Sequence, residues 1–301
     1  MSSAEALDRA QLATLVAVLR AGSFDRAARL LHVTPSAVSQ RIKQLEEHIG
    51  GVVVIRGAQT RATTLGEALY RHGLQLELLE RELGTALSGA PTTPATPVQI
   101  AVNADSLATW ITPALAAFTR ATGTPIEVFV DDQDHTTSWL RSGRVLGAVT
   151  TEARAVQGCR VDPLGVMSYR ANASPAFVRR FFRGGLTPEN VAAAPLIAFD
   201  RKDLLHEQFL RALGLQKAPV ATHFLPSPMA IVDGCLSGVG WSLNPEPLVA
   251  AHVARKRLVD VVPGRSLGVE LYWQYWAIAS HTLEALKEAL RDHATRALGA
   301  A

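Results

Sequence analysis

Three groups of residues have the types and spacing to do chemistry, and all three suit binding more than bond-making. The first is Thr34-Pro35-Ser36 followed by Ser39, Gln40, Arg41 and Lys43, with Arg56 and Arg61 further on. Hydroxyl, amide and guanidinium groups along one helix face suit base edges, and cations beside them suit phosphate. The second is Asn103-Ala104-Asp105-Ser106, a polar turn after an apolar run, with Thr150 at the end of another such run. Backbone N–H groups at a strand-to-helix turn, helped by hydroxyls, can take a carboxylate. The third is acidic: Asp131, Asp132 and Asp134 repel one another, and a cationic ligand relieves that repulsion. Asp132 is the expected contact, while Asp134 also suits a helix cap. Asp200 and Ser227 are further candidates from across a cleft. A small ligand carrying both a carboxylate and a cationic group matches the set, with the carboxylate on the turn and Thr150 and the cationic group on Asp132.

Patterns for catalysis are scarce. No GxGxxG follows the first strand, and there is no P-loop or HExxH. The nine histidines do not group, and Cys159 and Cys235 belong to no CxxC pair. No metal, other cofactor or disulfide framework is therefore expected, and an enzyme on an α/β fold is the weaker reading.

The elements that must position these groups follow from periodicity. Leu12, Leu15, Val16 and Leu19 give Leu7 to Ala21 a buried helical stripe, closed by Gly22. Phe24 to Leu31 predicts a short helix, with Ala27 and Ala28 small enough for close contact. Thr34 caps the next, Pro35 fits its first position, and Val38, Ile42, Leu45 and Ile49 form its apolar face. Two short helices and a tight turn make a helix-turn-helix. Val52 to Arg56 and Ala62 to Thr64 then read as two strands of a wing around Gly57 to Arg61. From Leu65 to Leu87 the chain predicts one long helix. Leu69, Leu76 and Leu83 are seven apart, and Leu65, His72, Leu79 and Ala86 fill the alternate position, a seam for a second copy.

Beyond a hinge with three prolines, strands at 98–102, 125–130 and 146–150 alternate with helices at 107–121 and 136–142. That order predicts an α/β unit with a largely parallel sheet. After Asp162-Pro163 a second set of elements runs to Pro245, and Leu271 to Ala277 with a helix from Leu283 to Leu298 return to the first. Ligands of such two-lobed units sit between the lobes near strand ends. Trp273 reads as a core residue by default.

The run Gly22-Ser23-Phe24, Ala27-Ala28 and Thr34 to Glu46 resembles the DNA-binding end of LysR-type transcriptional regulators. Val98 to Trp110, Asp131 to His135, Gly147 to Thr150 and Leu271 to Gln274 are similar to the branch that senses lysine and arginine and controls basic-amino-acid export and metabolism. The resemblance implies a linker helix that pairs with a second chain. It also implies an α/β chain with an all-α winged helix-turn-helix N-terminal domain and a two-lobed, periplasmic-binding-protein-like effector domain. The expected divisions are 1–64 for the DNA-binding domain, 65–90 for the linker helix and 91–97 for the hinge. Lobe I is expected at 98–162 with 265–301, and lobe II at 163–264.

Charge agrees with that order. Residues 1 to 66 hold eight Lys/Arg against five Asp/Glu, while the remainder holds 22 of each, so the formal surplus of +3 lies at the DNA-binding end. The expected partners are double-stranded DNA with two-fold symmetry, a lysine or arginine effector, one or three further copies of the chain, and RNA polymerase. The N-terminus lacks the pattern of a secretion signal and no apolar run is long enough to span a bilayer, so a cytoplasmic location without membrane contact is expected. This also weighs against a secreted solute-binding protein.

Overall fold

The computed structural model describes residues 7–88, 97–130, 133–215 and 220–299, and for 133–137 the backbone alone. Residues 91–96 of the expected hinge, and Asp131 and Asp132, lie outside the described residues, as does the Asp134 side chain.

Three helices open the chain. In α1 (Arg9–Ala21) the Asp8 carboxylate accepts from the Ala10 and Gln11 amides at 2.6 and 3.0 Å. The next helix, α2 (Phe24–Leu30), starts at Ser23, and α3 (Pro35–Ile49) starts at Thr34, whose hydroxyl oxygen accepts from Ala37 N at 3.2 Å. Leu12, Leu15, Val18, Val38, Ile42 and Leu45 bury together with Ala27 and Ala28, which let α2 lie close to its neighbours. Burying each large side chain contributes roughly 1.5–3 kcal/mol. The wing is β1 (Val54–Ile55) against β2 (Arg61–Ala62), antiparallel, so this otherwise helical domain carries a small ribbon shorter than the strands predicted.

The linker helix α4 (Thr64–Ser88) is continuous, as predicted. Its seam is divided. Leu69 and Leu76 pack into the core of the N-terminal domain of the same chain, and Gly73 sits against α1 where a Cβ would meet Val16 at 2.6 Å. Leu65, His72, Leu83 and Ala86 are exposed, Leu83 at 59%. A heptad pattern states that a stripe is buried without stating by which chain, and here α1 takes half of it.

A seven-stranded sheet follows. The strands β3 (Val98–Val102), β4 (Ile126–Val130) and β5 (Gly147–Thr150) are parallel with β3 central, as predicted. The sheet as a whole is mixed, which corrects the largely parallel expectation. Two long strands, β6 (Cys159–Ala173) and β11 (Leu267–Trp276), run antiparallel through its middle and join the lobes. The expected break at Asp162-Pro163 falls inside β6. Proline has no N–H to give, and the ladder shifts register between Leu271 and Tyr272, opposite Pro163 and Gly165, so a bulge absorbs it.

Beside β3, β4 and β5 lie α5 (Ala104–Thr109), α6 (Ile111–Thr122), α7 (Gln133–Ser142) and α13 (His281–Ala297). A single helix from Leu107 was predicted; the chain instead breaks at Trp110, whose indole N–H donates to Ser106 Oγ at 3.1 Å. The second lobe holds α8 (Pro175–Phe181), α9 (Pro188–Ala193), α10 (Leu205–Ala212), α11 (Pro228–Leu236) and α12 (Glu246–Ala254). A two-stranded parallel sheet, β7 (Leu196–Ala198) with β8 (Thr222–Phe224), lies among them. The strands β9 (Ser242–Pro245) and β10 (Val259–Asp260) pair with the far half of β6. Trp273 is fully buried and stacks on Tyr275 at 6.2 Å, a core residue as expected. Among the described residues no helix is long and apolar enough to cross a membrane.

Candidate functional site

Two sites follow from this frame. At the first, α3 presents Ser36, Gln40 and Lys43 exposed and Ser39 and Arg41 half exposed, away from the buried Val38, Ile42 and Leu45. Thr34 and Pro35 are exposed at its start. Arg56 and Arg61 extend from the two wing strands, and the Arg56 guanidinium lies 4.3 Å above the Phe24 ring, which orients it. Lys43 pairs with Glu47 at 3.5 Å on the open surface, a contact worth little in water. Ser36, Gln40 and Lys43 thus share the exposed side of α3, with Ser39 and Arg41 on its flanks.

At the second, a cavity of about 210 Å³ opens between the lobes. One wall is the turn from β3 into α5, with Asn103, Ala104 and Asp105. The opposite wall is the loop from β7 into α10, with Phe199, Asp200, Lys202 and Asp203, and then Gln208 on α10. Its floor includes Ile231 of α11 and Leu243 and Asn244 of β9. Strand ends from both lobes meet there, as the topology requires.

Asp105 dominates the chemistry. Its carboxyl accepts from the Tyr169 hydroxyl at 2.6 Å, and burial lifts its pKa to about 6, with the Asp203 charge adding in the same direction and the Tyr169 hydrogen bond opposing. Burial and the neighbouring Asp105 push the Tyr169 hydroxyl well above its ordinary value, so it is a donor at every physiological pH. Two acceptors beside the cavity are buried and have no partner among the described residues, Asn103 Oδ1 and Asn244 Oδ1. The Asn244 amide nitrogen faces Cys235 Sγ and Ser242 O, which turns its oxygen away from them. Buried acceptors left unpaired are costly and ask for a donor.

The loop of the second lobe is held by its own carboxylates. Asp200 Oδ1 accepts from the Lys202 and Asp203 amides, and Asp203 accepts from Phe199 N and Leu205 N. His206 pins this loop to β9. It is fully buried, desolvation lowers its pKa to about 4, and its Nε2 accepts from Leu243 N at 3.2 Å. The lining carries three carboxyl groups and one ammonium, a balance that favours a cationic guest.

Of the ligand residues expected from sequence, Asn103, Ala104, Asp105 and Asp200 line the cavity, and Asp132 lies outside the described residues. Ser106, Thr150 and Ser227 do not line it. Ser106 Oγ is fully buried under Trp110, Thr150 Oγ1 accepts from Glu152 N, and Ser227 Oγ caps α11 through Ala230 N. Within the turn read as a seat for a carboxylate, Asp105 places an acidic group at the cavity wall. Asp203, Gln208 and Asn244 were missed. Asp203 had a signal in the polar run Asp200 to Asp203, but nothing local marks Gln208 or Asn244, which reach the cavity through the fold.

A winged helix-turn-helix joined by a long helix to a two-lobed domain with a polar cavity between the lobes defines a ligand-responsive DNA-binding regulator. The comparisons agree. Residues 10–67 match the bacterial regulatory helix-turn-helix protein, lysR family, and residues 92–295 match the LysR substrate binding domain. The chain belongs to the LysR family of transcriptional regulators. It is 42% identical over 289 residues to the HTH-type transcriptional regulator LysG of Mycobacterium tuberculosis, covering 96% of this chain and 94% of that one. The crystal structure of ArgP from Mycobacterium tuberculosis superposes with a TM-score of 0.89 at 41% identity, over 98% of this chain and all of that one. Full-length LysG from Corynebacterium glutamicum with bound effector Arg gives a TM-score of 0.83 at 34% identity, over 97% of this chain and all of that one.

Proposed function

We propose that this regulator senses arginine or lysine in the cavity between its lobes and controls genes of amino-acid export or metabolism. The observation that carries the reading is Asp105, a largely buried carboxyl at the cavity wall, flanked by oxygens of Asn103 and Asn244 that have no partner among the described residues. An ammonium or guanidinium group satisfies all three at once. Lys202, on the opposite wall, suits the effector carboxylate. The bound arginine of the Corynebacterium glutamicum neighbour supports the same class of guest. A guest touching both lobes favours one lobe arrangement over others and so biases the linked DNA-binding domains.

At the DNA, Ser36, Ser39, Gln40 and Arg41 read base edges or nearby backbone, and Lys43, Arg56 and Arg61 hold phosphate. The exposed stripe of Leu65, His72, Leu83 and Ala86 pairs with a second copy, as a dimer or within a tetramer, and the operator is correspondingly two-fold. A regulator of this kind works in the cytoplasm, where RNA polymerase is a further partner.

Calorimetry on the full-length chain tests the effector. Arginine or lysine is expected to bind at least tenfold more tightly than citrulline or norleucine, and Asp105→Asn is expected to erase most of that preference. Equal affinities for charged and neutral amino acids would defeat the reading.

A further inference from the structure

The linker helix α4 is fastened to the chain on two sides. Towards the N-terminal domain, Glu80 pairs with Arg9 at 2.6 Å and Glu77 with Arg20 at 2.9 Å. Towards the effector domain, Leu74 packs into the cluster of Leu140, Trp276 and Leu283, and the Arg71 guanidinium donates to Arg141 O at 3.0 Å. The most specific contact is made by Glu82. Its Oε1 accepts from the Ser280 hydroxyl at 2.7 Å and from Thr282 N at 3.0 Å, and its Oε2 accepts from His281 N at 3.1 Å.

These donors are the opening turn of α13. The first N–H groups of a helix have no intrahelical acceptor, and Ser280 satisfies only one of them, through Leu283 N at 3.2 Å. Two of the others are satisfied by a residue nearly 200 positions earlier, on a different element. A carboxylate there also meets the positive end of the helix dipole. Desolvation works to raise the Glu82 pKa, yet the hydrogen bonds from Ser280, Thr282 and His281 bring it below the ordinary carboxylate value. The helix so capped is not peripheral: Leu286, Leu290 and Ala294 of α13 share a core with Ile111, Ala114 and Phe118 of α6, which follows the cavity wall through α5.

We propose that Glu82 is the positioning residue that ties the linker helix, and with it the DNA-binding domain, to the effector lobe through the start of α13. The N-terminal domain then follows α13 as a unit, because Glu80 and Glu77 lie two and five residues earlier on the same helix. The proposal does not depend on which effector the cavity takes.

The test uses the full chain with spin labels at Arg29→Cys on α2 and Glu288→Cys on α13, in a Cys159→Ser background, diluted into unlabelled chain so that only distances within one chain are read. The parent is expected to give one narrow distance. Glu82→Ala is expected to widen the distribution at least twofold and to speed amide exchange at His281 and Thr282 at least tenfold. Glu82→Gln keeps one oxygen acceptor and is expected to fall between the two, which separates lost charge from lost folding. Arginine affinity by calorimetry is expected to stay within twofold of the parent in both variants; failure of arginine to bind even the parent counts against the effector, while the distances still decide the role of Glu82. An unchanged distance distribution in Glu82→Ala, with or without faster exchange, overturns the proposal.

Discussion

At Asp105 the folded chain holds a proton more tightly than the unfolded chain does, because burial penalises the ionised form. With the folded pKa at about 6 and an unfolded value of about 3.9, the native state binds the extra proton between those two pH values. Stability therefore falls as pH rises through that window, and the full penalty, on the order of 3 kcal/mol, is present above about pH 6. Asp105→Asn removes the charge and still accepts from Tyr169. It is expected to raise unfolding free energy by roughly 1–3 kcal/mol at pH 8 and by much less at pH 4.5, read from urea titrations. A variant no more stable than the parent at pH 8 would mean that the site already tolerates the charge. The sequence marked Asp105 as part of a polar turn but assigned that turn the opposite preference, for an anion. Its burial, its Tyr169 partner 64 positions away and the unpaired Asn244 oxygen are properties of the assembled sheet. No local pattern encodes them.

The same division runs through the elements. Helix starts were legible where a capping hydroxyl preceded an apolar stripe, as at Thr34, and the three parallel strands were legible from their β-branched runs. Prolines misled in both directions. Pro163 was read as a break yet lies in a bulge of β6, and Pro188 and Pro247 stand in the first turns of α9 and α12, two helices that were not predicted. The linker stripe was legible as a stripe, but its partner was not. Its two halves now carry separate expectations. Leu76→Glu puts a charge against the core that α1 and α4 share, and is expected to lower the melting temperature of the N-terminal domain. Leu83→Glu lies in the exposed half and is expected to leave the fold intact while splitting the assembly, seen as a fall in mass by light scattering. Should Leu83→Glu keep the parent mass, another surface joins the copies.

For the whole molecule, the arrangement is a winged helix-turn-helix domain, a cavity between two lobes and one helix fastened to both parts. Losing a base contact at Gln40 is expected to cost about 1–3 kcal/mol at one operator position and to relax choice there. Arg61→Ala is instead expected to weaken all sequences alike and to flatten the dependence on salt. A loss of discrimination in Arg61→Ala with none in Gln40→Ala would reverse the two roles. The most direct measurement joins both ends. An operator fragment selected from random DNA by the full-length chain is titrated with that chain, with and without saturating arginine or lysine, and with citrulline or norleucine as neutral controls. The expected result is that operator affinity or footprint changes with the cationic amino acids, that the neutral ones leave both unaltered, and that Asp105→Asn abolishes the difference. Identical binding curves and footprints under all conditions, or the same change with every amino acid, would contradict it.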